Sequence, residues 1–309
     1  MSYDLTIIIP FFNSKKNILK NFSKYLKISK KYKIETIYID NNSTDNTFLI
    51  INKKISNFSN IKIFKTNKKL GMGPGIARNL GVTKSNSNNI LFVDSDDYLI
   101  ENLVNKLIRF TKTNNFNLIY LNKISKLKLS PYNNYNKVSL KKFFRNSTNM
   151  QSIAIVFKKK FLIKNKLKFK KGIYEDIFYL FKCHFYNKKK IGFFKHKIYI
   201  KENNRLSITN ALITLNHINF KFKAWKSIVS FLRKNLKRYN FEILKNDIQY
   251  RLRGEFYYQY KEIISSKIKK TNKVLFVNHL KKLYKKIISE KFVDITYKDK
   301  HTKKKLFNV

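Results

Sequence analysis

This sequence has few acidic residues and few of the residues that bend or cross-link a chain. Its 309 residues include 18 Asp and Glu against 67 Lys and Arg, which gives a formal net charge of +49. Cys183 is the only cysteine, so a disulfide within the chain is excluded and nothing favours an oxidising compartment. No apolar run reaches the roughly 18 to 20 residues needed to cross a bilayer.

The N-terminal run also lacks the pattern of an export signal. MSYDLTIIIPFFN contains a short apolar stretch but no basic start and no long hydrophobic core. We therefore expect a cytoplasmic protein, with the inner face of the plasma membrane as a candidate surface for peripheral binding.

The positive charge has two explanations. Lys, Asn, Ile, Phe and Tyr are abundant while Gly (7) and Pro (3) are scarce, which a genome poor in G and C would encode whatever the function. The same charge would attract nucleotides, phosphates, anionic lipid or nucleic acid. With 43% hydrophobic residues, the chain is too apolar to be disordered.

Apolar runs alternate with helical patterns over the first hundred residues. Strands are predicted at 5–9, 34–39, 61–65 and 90–93, with Pro10 ending the first, and helices at 14–31, 44–55 and 75–82. This alternation predicts a parallel sheet covered by helices on both faces. In such sheets, ligands bind at the carboxyl ends of the strands.

Candidate ligand-binding residues follow three of these strand ends, at 10–13, 40–45 and 94–97. Asp94, Asp96 and Asp97 crowd around Ser95 in a chain with few acids. Carboxylates in a tight turn can hold a hard divalent cation such as Mg²⁺ or Mn²⁺, and would otherwise repel one another. A solvated turn, or Asp97 capping a helix that begins at Leu99 or Glu101, is the alternative.

Four of the seven glycines fall in LGMGPGIARNLGV. Such clustering indicates backbone that turns sharply or lies close to another group. Arg78 follows near the start of a predicted helix, where it could reach an anion. A turn with close helix packing is the alternative, and the spacing matches neither a P-loop nor a dinucleotide-binding fingerprint.

The segments TIIIPFFN, YIDNNSTD, GPGIARNLGV and ILFVDSDDYL, in this order, resemble the nucleotide-sugar-binding half of family 2 glycosyltransferases with the GT-A fold. The resemblance continues more weakly to about Thr209. It implies an α/β fold of the GT-A type, with a Rossmann-like, mostly parallel sheet and helices on both faces, followed here by a helical C-terminal region. We expect a glycosyltransferase domain at 1–215, divided into a nucleotide-sugar-binding half (1–100) and an acceptor half (101–215).

The resemblance implies roles for the matched positions. The first two strand ends would flank the base and ribose, and Arg78 would approach the diphosphate. Asp94 and Asp96 would serve ribose and metal, a Mn²⁺ or Mg²⁺ ion, with Asp97 as an alternative metal ligand. Asn41 stands where many members carry a second acid, and its amide can pair with uracil, which suits a pyrimidine nucleotide, UDP or dTDP. The implied nucleotide-sugar-binding set is Pro10, Phe12, Asn13, Asp40, Asn41, Gly73, Arg78, Asp94 and Ser95.

No Asp or Glu occurs between Glu101 and Glu175, and then GIYEDIFYLF places Glu175 and Asp176 at a predicted helix start. Stabilisation of the helix N-terminus, worth about 0.3–1 kcal/mol, is one explanation. The resembling Glu-Asp motif of the family implies that Asp176 is the catalytic base and that Glu175 supports or orients it. An inverting transfer needs such a base and no covalent nucleophile.

The segment IYIKENNRLSIT resembles family segments more loosely. Lys201, Arg205 and Ser207 are its candidate contacts to the diphosphate or the acceptor, and a charged surface loop is an equally good interpretation.

From residue 216 to 309 the pattern changes to basic amphipathic helices, such as FKAWKSIVSFLRKNL and YRLRGEFYYQYKEIISSKI. This extension could bind an anionic membrane surface, a lipid-linked glycan or nucleic acid. It could also pack on the catalytic domain or form an oligomer with a second subunit.

Together these features predict a metal-dependent, inverting glycosyltransferase. It would move a sugar from a nucleotide-sugar donor, UDP-linked, to a glycan or lipid-linked acceptor in surface polysaccharide synthesis. The alternatives are a nucleic-acid-binding protein and a nucleotidyltransferase. Because the acidic triplet would repel phosphates, no specific nucleic acid is expected. A relative that only binds nucleotide is disfavoured by the presence of Asp176.

Overall fold

The computed structural model describes residues 3–67, 73–124, 143–144, 151–202 and 213–289. The chain divides into a first unit of residues 1–138 and 149–204 and a second unit of residues 139–148 and 205–309. The domain boundary predicted between residues 215 and 216 stays a prediction. Two predicted site residues, Arg205 and Ser207, lie outside the described residues.

The first unit holds eight strands and six helices among its described residues. The strands are β1 (Leu5–Phe11), β2 (Ile34–Asp40), β3 (Ile61–Lys65), β4 (Asn89–Phe92), β5 (Tyr98–Leu99), β6 (Leu118–Ile124), β7 (Ile155–Lys158) and β8 (Gly192–Ile200). The helices are α1 (Lys15–Lys31), α2 (Thr47–Ile55), α3 (Pro74–Lys84), α4 (Glu101–Thr113), α5 (Lys159–Lys164) and α6 (Glu175–Tyr186).

All eight strands form one sheet in the order β3-β2-β1-β4-β7-β6-β8-β5. The first four strands along the chain pair in parallel, as the alternating pattern predicts. Strand β7 runs antiparallel between β4 and β6, and β5 pairs antiparallel with β8 at the edge. The mostly parallel α/β architecture predicted from the sequence is confirmed.

Alternate residues of each strand enter opposite apolar layers. Ile7 and Ile9 of β1 belong to a core shared with α1, α2 and α4, while Ile8 belongs to a core shared with α3, α5 and α6. All three side chains are at most 1% exposed. Near-continuous β-branched runs are expected in strands that are buried on both faces.

The prediction that Pro10 ends the first strand is wrong, because β1 continues to Phe11. Pro10 lies opposite Ile39 of β2, while β4 pairs only with residues Thr6 to Ile8. The Ile8 carbonyl accepts a hydrogen bond from the Val93 N–H, on the side of β1 that faces β4. Because the backbone groups of residues two positions apart point to the same side of a strand, the nitrogen of Pro10 also faces that side. The missing N–H of proline therefore points to a side where no strand partner requires it.

The described helices of the second unit are α7 (Leu215–Asn235), α8 (Arg238–Ser265) and α9 (Lys270–Ser289), which pack on one another. Trp225 and Phe256 are each 2% exposed. The long helices predicted for this region are thus present. No described helix is long and apolar enough to cross a membrane.

Candidate active site

The loops that follow β1 and β2 are tied to each other by Asn13. Its Oδ1 accepts from the backbone N–H of Thr44 at 2.8 Å, and its own N–H donates to Ser43 Oγ at 3.0 Å. Asn13 adopts a left-handed conformation with φ of 46°, which asparagine tolerates better than most residues. The preceding side chain, Phe12, is 42% exposed at the same strand end.

Asp40 is fully buried, and its Oδ1 accepts from the backbone N–H of Ser43 at 2.8 Å. The neighbouring Asn41 is 7% exposed and accepts from Thr66 Oγ1 at 3.4 Å. Lys65 Nζ lies 3.7 Å from the other Asp40 oxygen. These contacts indicate that Asp40 shapes the loop after β2, at the carboxyl edge where the sequence placed it.

The acidic triplet after β4 forms a tight turn that is closed by the N–H of Asp97 donating to the Asp94 carbonyl at 3.0 Å. One carboxylate oxygen from each of Asp94, Asp96 and Asp97 can lie within 4.8 Å of the others. Such an all-oxygen donor set fits a hard divalent cation such as Mg²⁺ or Mn²⁺. Ser95 lies inside the same turn.

The three acids differ in their surroundings. Asp97 is 1% exposed, and its two oxygens accept from the Tyr199 hydroxyl at 2.7 Å and the Glu202 N–H at 3.0 Å. Burial, and then repulsion by Asp94, raise the pKa of Asp97 to about 8. Asp97 therefore fixes the turn, and the assignment of Asp94 and Asp96 as cation ligands stays a prediction.

The idea that Asp97 caps a helix is wrong. Helix α4 begins at Glu101, its N-cap residue is Ile100, and no side chain caps it. The carboxylate of Asp97 is already occupied by Tyr199 and Glu202.

The glycine-rich segment brings α3 against the loop that precedes α6. Gly73 has φ of +126°, and a Cβ there would lie 2.8 Å from the carbonyl oxygen of Gly172. At Gly75 a Cβ would lie 2.7 Å from both Glu175 Cγ and Phe169 Cβ. Both interpretations of the cluster hold, since the backbone is unusual at Gly73 and closely packed at Gly75.

Arg78 gathers three carboxylates around one guanidinium. Its Nη2 lies 3.0 Å from Asp94 Oδ1, and its Nη1 lies 2.7 Å from Glu175 Oε1 and 3.4 Å from Asp176 Oδ1. The Arg78 side chain is 4% exposed. Arg78 is thus enclosed by acids of this chain, and its contact to a diphosphate stays a prediction.

Asp176 receives a second contact from Ser152, whose hydroxyl donates to Oδ1 at 2.6 Å. Burial raises the pKa of Asp176, while Arg78 and the Ser152 hydrogen bond act in the opposite direction. Burial and the adjacent Asp176 charge raise the pKa of Glu175, while the charge of Arg78 acts in the opposite direction. Helix α6 begins at Glu175, as predicted, so both acids lie at its N-terminus.

Lys201 also approaches this part of the sheet, because its Nζ lies 3.5 Å from Gln151 Oε1, next to Ser152. Sequence reasoning missed Ser152 and Tyr199. Ser152 belongs to no motif, and Tyr199 lies in the segment IYIKENNRLSIT without being singled out there; each meets its acid only through the fold, so the sequence carries no local signal for either contact.

The site can be compared with known proteins. The model of the family described as Glycosyl transferase family 2 matches residues 6–191. The chain belongs to this family. It is therefore a glycosyltransferase with the GT-A fold, and the match contains every predicted site residue up to Asp176.

Two relatives illustrate the extent of the similarity. An uncharacterized glycosyltransferase of Haemophilus influenzae is 34% identical over 110 residues, which are 36% of this chain and only 43% of that protein. The poly(ribitol-phosphate) β-N-acetylglucosaminyltransferase TarP of Staphylococcus aureus is 27% identical across 94% of this chain and 91% of its own length.

A solved structure agrees with the fold. The crystal structure of S. aureus TarS residues 1–349 in complex with UDP-GlcNAc superposes with a TM-score of 0.69 at 19% identity. The match covers 92% of this chain and 80% of the TarS fragment. At this identity the likeness establishes the fold alone.

Proposed function

We propose that this protein transfers a sugar, with inversion, from a UDP-linked donor to a hydroxyl group of a surface glycopolymer, and that the transfer depends on a divalent cation. The single observation that carries the proposal is the placement of Arg78. One buried guanidinium joins Asp94, at the predicted donor edge, to Asp176, the predicted base. Transfer requires the donor and the base to have a fixed relative position.

The donor side is assigned to the loops after β1, β2 and β4. Pro10, Phe12, Asn13, Asp40 and Asn41 would flank the nucleoside directly or through the loops they hold, with Gly73 and Ser95 nearby. The UDP class is supported by the UDP-GlcNAc bound to the TarS fragment. Held by Asp94 and Asp96, a divalent cation would supply positive charge for the leaving diphosphate.

The acceptor side is assigned to Asp176. The Oδ1 atom of Asp176 accepts from the Ser152 hydroxyl and lies 3.4 Å from Arg78 Nη1, and the carboxylate that these contacts hold would take the acceptor proton. The acceptor oxygen then attacks the anomeric carbon opposite the nucleotide, and the C–O bond to the diphosphate breaks. No covalent intermediate on the protein is required.

Glu175 and Arg78 act as positioning residues. Glu175 anchors the guanidinium at 2.7 Å, which leaves Arg78 able to hold Asp94 and Asp176 with its two terminal nitrogens. Lys201 is proposed to approach the diphosphate or the acceptor from β8. A location at the inner face of the plasma membrane fits synthesis of a surface polymer and belongs to the same proposal.

The proposal is tested by calorimetric titration with UDP, dTDP and GDP, each with and without Mn²⁺, at moderate salt to suppress nonspecific attraction. The proposal is supported if the protein prefers UDP in a cation-dependent way, if Asp96→Ala abolishes this preference, and if Asp4→Ala retains it. Asp4 is a suitable control because it precedes β1, at the opposite end of that strand. Equal, cation-independent binding that fades with salt would refute the donor assignment.

A further inference from the structure

A threonine hydroxyl lies between two asparagine side chains at the carboxyl edge of β2 and β3. Asn42 Nδ2 donates to Thr66 Oγ1 at 2.8 Å, and Thr66 Oγ1 donates to Asn41 Oδ1 at 3.4 Å. Thr66 is 4% exposed and Asn41 is 7% exposed, so the hydroxyl depends on these two partners for its hydrogen bonds. We call Asn42, Thr66 and Asn41 the polar triad.

The backbone of the polar triad is held by the neighbouring strand ends. The Asn41 N–H donates to the Phe11 carbonyl at 2.8 Å, and the Thr66 N–H donates to the Asp40 carbonyl at 2.9 Å. Asn42 adopts a left-handed conformation with φ of 66°, which asparagine tolerates better than most residues. Because these contacts fix where the side chains begin, the order of donors and acceptors along the triad decides how the Asn41 amide is oriented.

The Thr66 hydroxyl has a single hydrogen to donate. Because Asn42 already donates to the hydroxyl oxygen, this hydrogen finds an acceptor only if Asn41 presents its carbonyl oxygen. The opposite orientation of the Asn41 amide would direct two donors to one oxygen and leave the hydroxyl hydrogen unpaired in a nearly enclosed position. Thr66 therefore fixes which end of the Asn41 amide carries the oxygen and which end carries the NH2 group.

The NH2 end of the Asn41 amide remains available to a ligand. Its Nδ2 donates to no atom of the described residues and keeps access to solvent, at the strand end assigned above to the nucleoside. An amide fixed in this way presents a donor beside an oxygen that has a second lone pair. Uracil complements this pattern with the O4 acceptor and the N3–H donor, whereas cytosine presents the reverse pattern with its N4 amino group and its N3 acceptor.

We propose that Thr66 is a positioning residue that determines the choice of base, because it fixes the Asn41 amide in the orientation that accepts uracil and rejects cytosine. This inference rests on the proposed function, since it requires the Asn41 side chain to face the base of the donor. An amide that is free to turn by 180° would present either pattern and would accept both bases. Selectivity for the base thus depends on a hydroxyl that acts through Asn41.

The test compares the affinities for UDP and CDP by calorimetry in the presence of Mn²⁺ at moderate salt. Thr66→Val removes the hydroxyl and keeps the shape of the side chain, whereas Thr66→Ser keeps the hydroxyl. We expect the unmodified protein and Thr66→Ser to bind UDP at least about tenfold more tightly than CDP, because a mismatched base leaves polar groups unpaired. In Thr66→Val we expect this ratio to fall below about threefold, with tighter CDP binding, because the freed amide fits both bases.

Thr111→Val is the matched control. Thr111 is 2% exposed, and its hydroxyl likewise lies between two partners, since it accepts from Asn89 Nδ2 at 3.5 Å and donates to the Ile108 carbonyl at 2.8 Å. Asn89 begins β4, at the end of that strand opposite the site. This variant should lose a buried hydroxyl and keep the preference for UDP.

A second variant reverses the polar triad. Asn42→Asp places a group that only accepts hydrogen bonds beside Thr66, so the Thr66 hydroxyl is expected to donate to the new carboxylate and to accept from Asn41 Nδ2. The Asn41 amide would then turn, and we expect the preference to shift towards CDP. Should Thr66→Val not fold, Asn42→Asp provides the same comparison with the unmodified protein.

Several results would overturn the proposal. A preference for UDP that stays unchanged in Thr66→Val or in Asn42→Asp would show that the hydroxyl does not orient the contact to the base. Equal loss of the preference in Thr111→Val would mean that general loosening of the fold is the cause. Cation-dependent binding of UDP and CDP with equal affinity by the unmodified protein would refute the role of Thr66 and leave transfer from a UDP-linked donor standing, whereas the absence of cation-dependent nucleotide binding would refute both.

Discussion

Arg78 Nη1 lies 2.7 Å from Glu175 Oε1, although 97 positions separate the two residues in the chain. Both side chains are 4% exposed, so this is a buried ion pair between α3 and α6. Because the same guanidinium also reaches Asp94 and Asp176, the pair links the turn after β4 to the N-terminus of α6.

Removing the positive charge of Arg78 from this cluster should destabilise the protein. Arg78→Met leaves three acids without their shared partner, and we expect the free energy of unfolding to fall by about 3–5 kcal/mol. Urea denaturation measures the change, with Arg109→Met on the exposed face of α4 as the matched control. Adding Glu175→Gln to Arg78→Met should recover part of the loss, and equal effects of the two arginine substitutions would contradict the account.

The site of Gly75 should not tolerate even the single added methyl group of alanine. In Gly75→Ala the new Cβ would lie 2.7 Å from Glu175 Cγ and Phe169 Cβ, so we expect about 1–3 kcal/mol of destabilisation and slower transfer. Gly254 of α8 is the matched control, because a Cβ there meets nothing within 4 Å. Gly254→Ala should be neutral or stabilising by up to about 1 kcal/mol, as measured by thermal denaturation. Similar losses at both glycines would exclude the packing explanation.

The pH dependence of the transfer rate should reflect the ionisation of Asp176. Its pKa is raised above the ordinary 3.8 by burial, and only the ionised form can accept a proton, so kcat should fall on acidification at a pH above 3.8. The Ser152 hydroxyl stabilises the ionised form. Ser152→Ala should therefore raise the pKa further and move the acid limb of the kcat profile to higher pH.

This profile is measured at saturating donor and cation, with Ser56→Ala as a control at an exposed serine that follows the C-terminal end of α2. An acid limb that stays in place in Ser152→Ala, or moves to lower pH, would show that Asp176 does not govern the rate.

Substitutions of Asp96 and Asp97, in the turn after β4, should have different effects on UDP binding and on stability. Asp96→Asn is expected to weaken cation-dependent UDP binding with little change in stability. Asp97→Asn places an amide against the donors Tyr199 and Glu202, so we expect a stability loss of about 1–3 kcal/mol. Calorimetry and urea denaturation on both variants provide the comparison, and the reverse pattern would assign the cation to Asp97.

Local patterns were sufficient for much of this fold. The β-branched runs of β1 to β4 and the polar helices between them mark strands and helices in the order that the structure has, because each is specified by its own burial pattern. The glycine cluster indicated close backbone packing, and GIYEDIFYLF placed the start of α6 correctly at Glu175.

Long-range partners could not be predicted in the same way. The sequence placed Arg78 near an anion but did not show that its anions are Asp94, Glu175 and Asp176, because that depends on β7 entering the sheet beside β4. The different burial of Asp97 and Asp94 likewise depends on Tyr199 of β8. Pro10 was misjudged since its place in β1 depends on where β4 stops.

The most direct test of the central claim separates donor binding from transfer in Asp176→Asn. Asn cannot take the acceptor proton but keeps nearly the same shape, so we predict unchanged UDP binding by calorimetry and a kcat at least about 100-fold lower in a transfer assay with UDP-linked sugars. Asp4→Asn should match the unmodified protein in both measurements. Near-normal transfer by Asp176→Asn would contradict the account, because the base would then be another residue.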